Sequence, residues 1–345
     1  MKKKLIVLAL AAIVLATVSG CGKKAVPQAT PTPTPTATPT PTPDPITVEI
    51  NNYLDTYVNT DKRPIAVMVD NDNNNARPQA GLDEAYLVYE MPVEGGATRF
   101  MALFRNTATE KIGPVRSSRH YFLDYAKEND VIYTHYGWSP KASNDISALG
   151  INNINGIKGT DSKIFWRERK YKGDWHSAYT SIEKISEMAT KKSYKTETEA
   201  KNGINYSKEY INLSPESPAT DIKLSYSGMY KTGYTYNAET GEYEKYINNE
   251  PHKMQNDKVL SFKNVIVELI GDKSLGDGSD RREIITTGSG KGYYFTNGAY
   301  EEITWSKESR TAPTVYTRAD GTELLVNPGD TMINIINPEI GVVIQ

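Results

Sequence analysis

Arginine, glutamate and histidine side chains are dense between residues 70 and 140, where glycine and proline also accumulate. Clustered guanidinium groups suit a phosphate or carboxylate ligand, because each group can donate two hydrogen bonds to one anion. We therefore predict an anion-binding site in this segment. Glu90 and Glu94 are the candidate catalytic acid–base groups if the site carries out a transfer reaction. The predicted ligand-binding residues are Arg77, Arg99, Arg116, Arg119, His120 and His135.

Short secondary-structure elements must position these side chains. Strands are predicted at 98–104 and 112–116, and a hairpin between them would bring Arg99 and Arg116 together. A helix predicted to begin within Arg116–Arg119 would add backbone amide donors for an anion. The alternative is structural, in which the arginines pair with nearby acidic residues and only hold the domain together. The acidic candidates for that pairing are Glu90, Glu94 and Asp124.

The hydrophobic pattern divides the folded part of the chain into two regions. Residues 46–205 alternate strand-like and helix-like segments, which predicts a mixed α/β domain. Residues 215–345 contain short β-type runs separated by turn residues, which predicts a β-rich domain. The predicted fold class is therefore α+β. Ser139-Pro140 and the capping-box pattern Thr180–Glu183 each predict the start of a helix.

Composition excludes several classes of protein and site. The net charge of −2 argues against a nucleic-acid partner held by bulk positive charge. A single cysteine excludes a disulfide framework and cysteine-rich metal sites. The acidic run Asp70–Asn75 lacks the glycine and the glutamate of a calcium loop at their required positions. We predict no metal site and no cofactor.

The N-terminus has the layout of a secretory signal, with three lysines before the apolar run Leu5–Val18. Residues 1–20 are therefore a predicted signal peptide, with an uncleaved anchor helix as the alternative. Val18-Ser-Gly-Cys21 resembles the bacterial lipobox, which implies that Cys21 is diacylated and becomes the mature N-terminus. Residues 21–45 then form a linker in which proline and threonine alternate, and this composition favours an extended tether. The predicted location is the outer face of the cell membrane, with a lipid anchor carrying palmitate-type chains.

Motifs in both halves resemble the YerB-type lipoproteins of Gram-positive bacteria. The resemblance covers nearly all of the folded chain and implies a two-domain lipoprotein whose biochemistry is uncharacterised. The matching motifs include Asn75-Ala-Arg-Pro-Gln79, Glu94-Gly-Gly-Ala-Thr-Arg-Phe100, Ile112-Gly-Pro-Val-Arg-Ser117, Tyr294-Phe-Thr-Asn-Gly298 and Asn327-Pro-Gly329.

A shorter stretch, within residues 98–119, resembles the strand–hairpin–strand segment of the LytR-CpsA-Psr phosphotransferases, which attach polymers to peptidoglycan. In that family the segment ends in a catalytic arginine. This resemblance implies phosphoryl or glycosyl transfer on a phosphate-linked cell-wall precursor.

Two main functions follow from these patterns. The first is a membrane-anchored binding or scaffold protein for an anionic cell-envelope ligand or a protein partner. The alternative is the transfer enzyme implied by the shorter resemblance. A third possibility is a purely protein-facing module whose second domain docks a membrane protein.

Overall fold

A computed structural model describes residues 44–200 and 203–345, with the side chains of 73 and 74 left undescribed. The predicted signal peptide, Cys21 and nearly all of the linker lie outside these residues. Residues 43–345 form one compact unit. Within the described ranges, no helix combines the length and the apolar character needed to cross a bilayer.

The helices lie in the N-terminal half and begin where the sequence supplies caps. Ser139 caps α4 by accepting a hydrogen bond from the amide of Ala142, as the Ser139-Pro140 pattern predicts. Ser181, one residue beyond the expected threonine, caps α5 through the amide of Lys184. The helices are α1 (Pro45–Tyr53), α2 (Asn73–Ala76), α3 (Phe122–Glu128), α4 (Pro140–Ala148) and α5 (Ile182–Lys191).

Five of the seven N-terminal strands form one end of a mixed sheet, and the other two pair with each other. Four of these five are buried along their whole length, because helices or the second sheet cover both faces. The strands of this half are β1 (Ile65–Asn71), β2 (Leu87–Pro92), β3 (Thr98–Phe104), β4 (Ile132–His135), β5 (Asn153–Asn155), β6 (Trp166–Arg167) and β7 (Ala178–Tyr179).

The C-terminal half is almost entirely strands, as predicted. Several alternate buried and exposed residues, which is the pattern of strands with one face on the core. They are β8 (Asp221–Ser225), β9 (Lys231–Asn237), β10 (Glu242–Ile247), β11 (Glu250–Pro251), β12 (Ser261–Phe262), β13 (Asn264–Leu269), β14 (Asp272–Ser274), β15 (Arg282–Ile284), β16 (Gly288–Thr296), β17 (Ala299–Lys307), β18 (Val315–Arg318), β19 (Thr331–Ile336) and β20 (Val342–Ile344).

The two halves share one sheet. Among the described residues, ten strands are hydrogen-bonded in the order β18-β17-β16-β13-β19-β2-β3-β1-β4-β5, and the parallel pair β19–β2 joins the halves. A second sheet has the order β11-β10-β9-β8-β20, with β12 paired to β10. The α+β fold class is confirmed, with a mixed N-terminal region and a C-terminal region made mostly of strands.

Two local predictions around the arginines are wrong. β3 pairs with β1 and β2 rather than with residues 112–116. The segment 112–116 forms only isolated bridges, one of them from Val115 to Val69. No helix begins at Arg116–Arg119, because the amide of Ser118 donates to the carbonyl of Gly137, and α3 starts at Phe122.

Candidate functional site

Asp70, the penultimate residue of β1, brings two of the predicted arginines together. In the antiparallel ladder of β1 and β3, the register partner of Asp70 is Arg99. On the other side of β1, the backbone N–H of Arg116 donates to the carbonyl of Met68, and the backbone N–H of Asp70 donates to the carbonyl of Pro114. Arg99 and Arg116 therefore flank one buried carboxylate from opposite sides.

Arg99 is a buried guanidinium group that has no carboxylate partner among the described residues. Its side chain is 3% exposed, and its Nη1 donates to the carbonyl of Ser117 at 2.7 Å. Its buried Nε has no hydrogen-bond partner. Burial, together with the nearby charges of Arg119 and Arg116, lowers the pKa of Arg99 to about 10, against the opposing charges of Asp70 and Glu94, neither of which forms an ion pair with it. The group remains charged at neutral pH, and an anion would stabilise that charge.

Arg116 and Arg119 are each paired with one acidic residue. The Nε of Arg116 lies 2.9 Å from Oδ2 of Asp70. Arg119 binds Glu94 through two hydrogen bonds, of 2.6 and 2.8 Å. Burial alone would raise the pKa of Glu94, but the hydrogen bonds and charge of Arg119 hold it below its usual value. Glu94 is therefore an ionised partner of Arg119 rather than a proton donor at neutral pH.

A loop from the C-terminal half completes the site. Asp280 accepts a hydrogen bond of 2.8 Å from the amide of Gly95, which lies in a 3₁₀ turn at Glu94–Gly96. Gly95 has a φ of 69°, a conformation that glycine adopts without strain. This contact places Arg281 at the site, where it also pairs with Asp277 at 2.9 Å.

These side chains line one open cavity of about 310 Å³, here called the arginine pocket. Its lining contains four guanidinium groups and two carboxylates, and the partners of Arg116 and Arg281, Asp70 and Asp277, lie outside the lining. The lining residues are Asp72, Val93, Glu94, Ala97, Arg99, Arg116, Arg119, Ser279 and Arg281.

His176, which the sequence analysis did not select, lies directly behind the arginine pocket. Its Nδ1–H donates to Oδ2 of Asp70 at 2.6 Å, and its Nε2 lies 3.9 Å from Oδ2 of Asp72 in the pocket lining. The hydrogen bond to Asp70 raises the pKa of His176. Burial would raise the pKa of Asp70, but the His176 bond and the charges of Arg99 and Arg116 lower it overall.

Glu90 and Arg77 do not reach the arginine pocket. Glu90 is fully buried, and its Oε2 lies 2.8 Å from Nζ of Lys245. Arg77 donates to Oδ1 of Asn71 and lies over the ring of Tyr230. Both predicted residues therefore belong to a buried polar network between the two sheets.

The two predicted histidines also lie elsewhere. His120 contacts Oε1 of Glu283 at 3.1 Å, and burial lowers its pKa. His135 is fully buried between the carbonyl of Gly137 and the side chain of Asn153. Burial lowers the pKa of His135 to about 4, so this imidazole is neutral at physiological pH. Both environments are those of packed core histidines.

A second cavity, of about 380 Å³, lies between α5 and the end of β3. Its lining includes Arg63, but that guanidinium group already donates to Asp130 and to Asn152. The charge of Arg63 is therefore satisfied within the protein. Within the described ranges, no three side chains of the His, Cys, Asp and Glu types are grouped as metal ligands.

Comparison with known proteins places the chain in a family. The model of the DUF3048 N-terminal domain, a protein of unknown function, matches residues 40–195, and that of the DUF3048 C-terminal domain matches residues 222–333. The chain belongs to the DUF3048 family. This membership confirms the resemblance to YerB-type proteins.

One relative, YerB of Bacillus subtilis, matches this chain both in sequence and in structure. The Bacillus subtilis protein named "Putative lipoprotein YerB" is 32% identical over 285 residues, which cover 80% of this chain and 82% of that one. The crystal structure of YerB protein from Bacillus subtilis matches with a TM-score of 0.72 at 29% identity, over 82% of this chain and 94% of that one. The chain is therefore a homologue of a protein described as a lipoprotein.

Proposed function

We propose that this protein is a lipoprotein on the outer face of the cell membrane whose arginine pocket binds an anionic, phosphate-bearing ligand of the cell envelope. The observation that carries the proposal is Arg99, a buried guanidinium group without a carboxylate partner among the described residues. An unpaired buried charge destabilises a folded protein, and a bound anion would offset that cost.

The rest of the arginine pocket supports the same ligand chemistry. Arg116, Arg119 and Arg281 add three further guanidinium groups, a side-chain type that suits phosphate oxygens. Each of them also pairs with one acidic residue, so a ligand would share or replace those contacts. An envelope polymer, a nucleotide-like molecule or a phosphate-bearing small molecule would present a phosphate group to the pocket. An acidic protein segment would present carboxylates instead.

The anchor rests on the sequence and on the homologue. Cys21 follows an apolar run and small residues, and the homologue's name describes a lipoprotein. Two acyl chains give stable membrane anchoring, where a single chain is marginal. Within the linker of 21–45, some 20 residues in an extended conformation would span roughly 60 Å at about 3.1 Å per residue and hold the folded part away from the bilayer.

Calorimetry with inorganic pyrophosphate tests the proposal. The full-length chain, purified in a non-ionic detergent, is titrated at constant ionic strength, and Arg116→Gln is compared with wild type. We expect Arg116→Gln to weaken binding by about 1.5–3 kcal/mol, because the lost contacts are charge-assisted. The matched control is Arg169→Gln, which removes the same charge from an exposed residue outside the pocket lining.

Two results would overturn the proposal. One is the absence of binding for pyrophosphate, inorganic phosphate and sulfate alike. The other is an equal loss of affinity in Arg116→Gln and Arg169→Gln, because that equality would indicate attraction by overall charge rather than by the arginine pocket.

A transfer enzyme is the second candidate function. It is favoured by the placement of His176 and Asp70, a hydrogen-bonded imidazole–carboxylate pair, beside the arginine pocket. Such pairs supply general acid–base catalysis in many transfer enzymes. Turnover of a polyprenyl diphosphate substrate by the purified chain would support this candidate, and unchanged turnover in Glu94→Gln would remove Glu94 from any acid–base role.

A further inference from the structure

The ring of His176 lies between a buried carboxylate and the lining of the arginine pocket. Nδ1 is held by Asp70 at 2.6 Å, and Nε2 points towards Asp72, with its oxygen 3.9 Å away. The side chain of His176 is 10% exposed, and that of Asp72 is 40% exposed. The nitrogen that is not used by Asp70 therefore faces Asp72, a lining residue of the arginine pocket, whereas His176 itself is not part of that lining.

We propose that His176 is the proton-exchanging residue of the arginine pocket and donates Nε2–H to a bound phosphoryl-type anion. The inference rests on the proposed function, because it needs an anion in the pocket. Asp70 acts as the positioning residue: it fixes the ring orientation and keeps the proton on Nδ1, which leaves Nε2 to gain or lose a proton towards the ligand.

The charges around His176 set the direction of its response to pH. Asp70 and Asp72 face its two ring nitrogens, and Asp174 accepts the backbone N–H of His176 at 2.8 Å. Arg116 is the nearby cation and opposes protonation. Three carboxylates therefore favour the imidazolium ion, and a bound dianion would favour it further. By linkage, the anion must bind more tightly to the protonated form.

Sulfate is a suitable probe because its charge stays constant between pH 5.5 and 8.5. We expect sulfate to bind the full-length wild-type chain roughly tenfold more tightly at pH 5.5 than at pH 8.5, the size of one charge-assisted hydrogen bond. In His176→Gln we expect the ratio of the two affinities to fall to about one. Calorimetry of both proteins at both pH values measures this ratio.

NMR of the histidine imidazoles in the wild-type chain gives a second measurement, which does not require that His176→Gln folds. The chain has four histidines, and saturating sulfate should raise the titration midpoint of His176 by about one pH unit. The imidazole of His120, held by Glu283, is the internal control and should shift less.

The possible failures are distinguishable. If sulfate binds but its affinity is equal at both pH values and the midpoint of His176 does not move, the role of His176 is wrong while the proposed function stands. If His176→Gln retains the full pH dependence, the role is also wrong. If sulfate, phosphate and pyrophosphate all fail to bind at either pH, the proposed function itself fails.

Discussion

Glu90 of β2 and Lys245 of β10 form a fully buried ion pair of 2.8 Å that joins the two sheets. Lys245 also donates to the hydroxyls of Thr232 and Tyr234, so all of its donor capacity is used. Glu90 accepts further hydrogen bonds from the hydroxyls of Thr98 and Tyr230 and from the amide of Asn71. A carboxylate so completely engaged holds the two halves together, and it does not line the arginine pocket.

Replacing Lys245 with methionine should strongly destabilise the protein. The variant leaves Glu90 buried without its cation, and breaking a buried ion pair in this way costs roughly 3–5 kcal/mol. Urea unfolding of residues 44–345, which lie within one compact unit, measures the change in the free energy of unfolding.

The matched control is Lys223→Met, because Lys223 is half-exposed and pairs with Asp221 at the surface. We expect that control to change stability by less than about 0.5 kcal/mol. A second variant, Glu90→Gln combined with Lys245→Met, should recover part of the loss. Equal stability of Lys245→Met and the control would contradict the structural role of this pair.

Elements with local signals were predictable from the sequence. Ser139 before Pro140 is a complete helix-start signal, and α4 begins there. The helix expected to begin near Ser117 begins later, at Phe122, because the backbone of Ser118 is bound to Gly137, which is distant in sequence. Tertiary hydrogen bonding overrides local propensity at such positions.

The site was only partly predictable, for the same physical reason. Arg99 and Arg116 do lie together, but through Asp70 rather than through the expected hairpin. Arg281 lines the pocket and His176 contacts Asp70, each from a segment far along the chain, and neither has a sequence motif around it. Long-range β pairing brings such residues together, and the local pattern of a single sequence does not indicate which distant strands pair.

Removing the carboxylate of Glu94 should increase anion binding to the arginine pocket. In Glu94→Gln the side chain no longer neutralises Arg119, so a ligand has less competition for that guanidinium group. We expect the affinity for pyrophosphate to rise about threefold to tenfold, the range of one partly exposed charge contact. Glu187→Gln, on the exposed face of α5, is the control and should leave the affinity unchanged. Weaker binding in Glu94→Gln would contradict a pocket in which Glu94 and the ligand compete.

The lipid anchor predicts a specific chemical label. Cells grown with labelled palmitate should incorporate it into the wild-type protein, because Cys21 is the single cysteine of the chain. Cys21→Ser should lose the label completely, and Thr30→Ser in the linker should retain it. Labelling is preferable to cell fractionation, since an uncleaved signal sequence would also keep the variant in the membrane fraction. An unlabelled wild-type protein would support the uncleaved anchor helix.

Glu268 makes the stability of the protein depend on pH. It is fully buried on β13 and accepts hydrogen bonds of 2.6 Å from the hydroxyls of Tyr125 and Tyr316. Burial raises its pKa to about 7, with a smaller contribution from Glu128. Because the folded state holds a proton that the unfolded state releases, the contribution of Glu268 to stability falls as pH rises from about 4.5 to about 7.

Substituting Glu268 with glutamine should remove this dependence. We subtract the unfolding free energy of wild type from that of Glu268→Gln. This difference should increase by about 2–3 kcal/mol from pH 5 to pH 8, because glutamine stays neutral while Glu268 ionises. Urea unfolding of both proteins at several pH values gives the difference, in which the titrations of all other groups cancel. Glu302→Gln, at an exposed residue of β17, is the control, and its difference in unfolding free energy from wild type should not change with pH. If the difference in unfolding free energy between Glu268→Gln and wild type also does not change with pH, this carboxyl is ionised in the folded protein at neutral pH. Its polar environment then outweighs its burial.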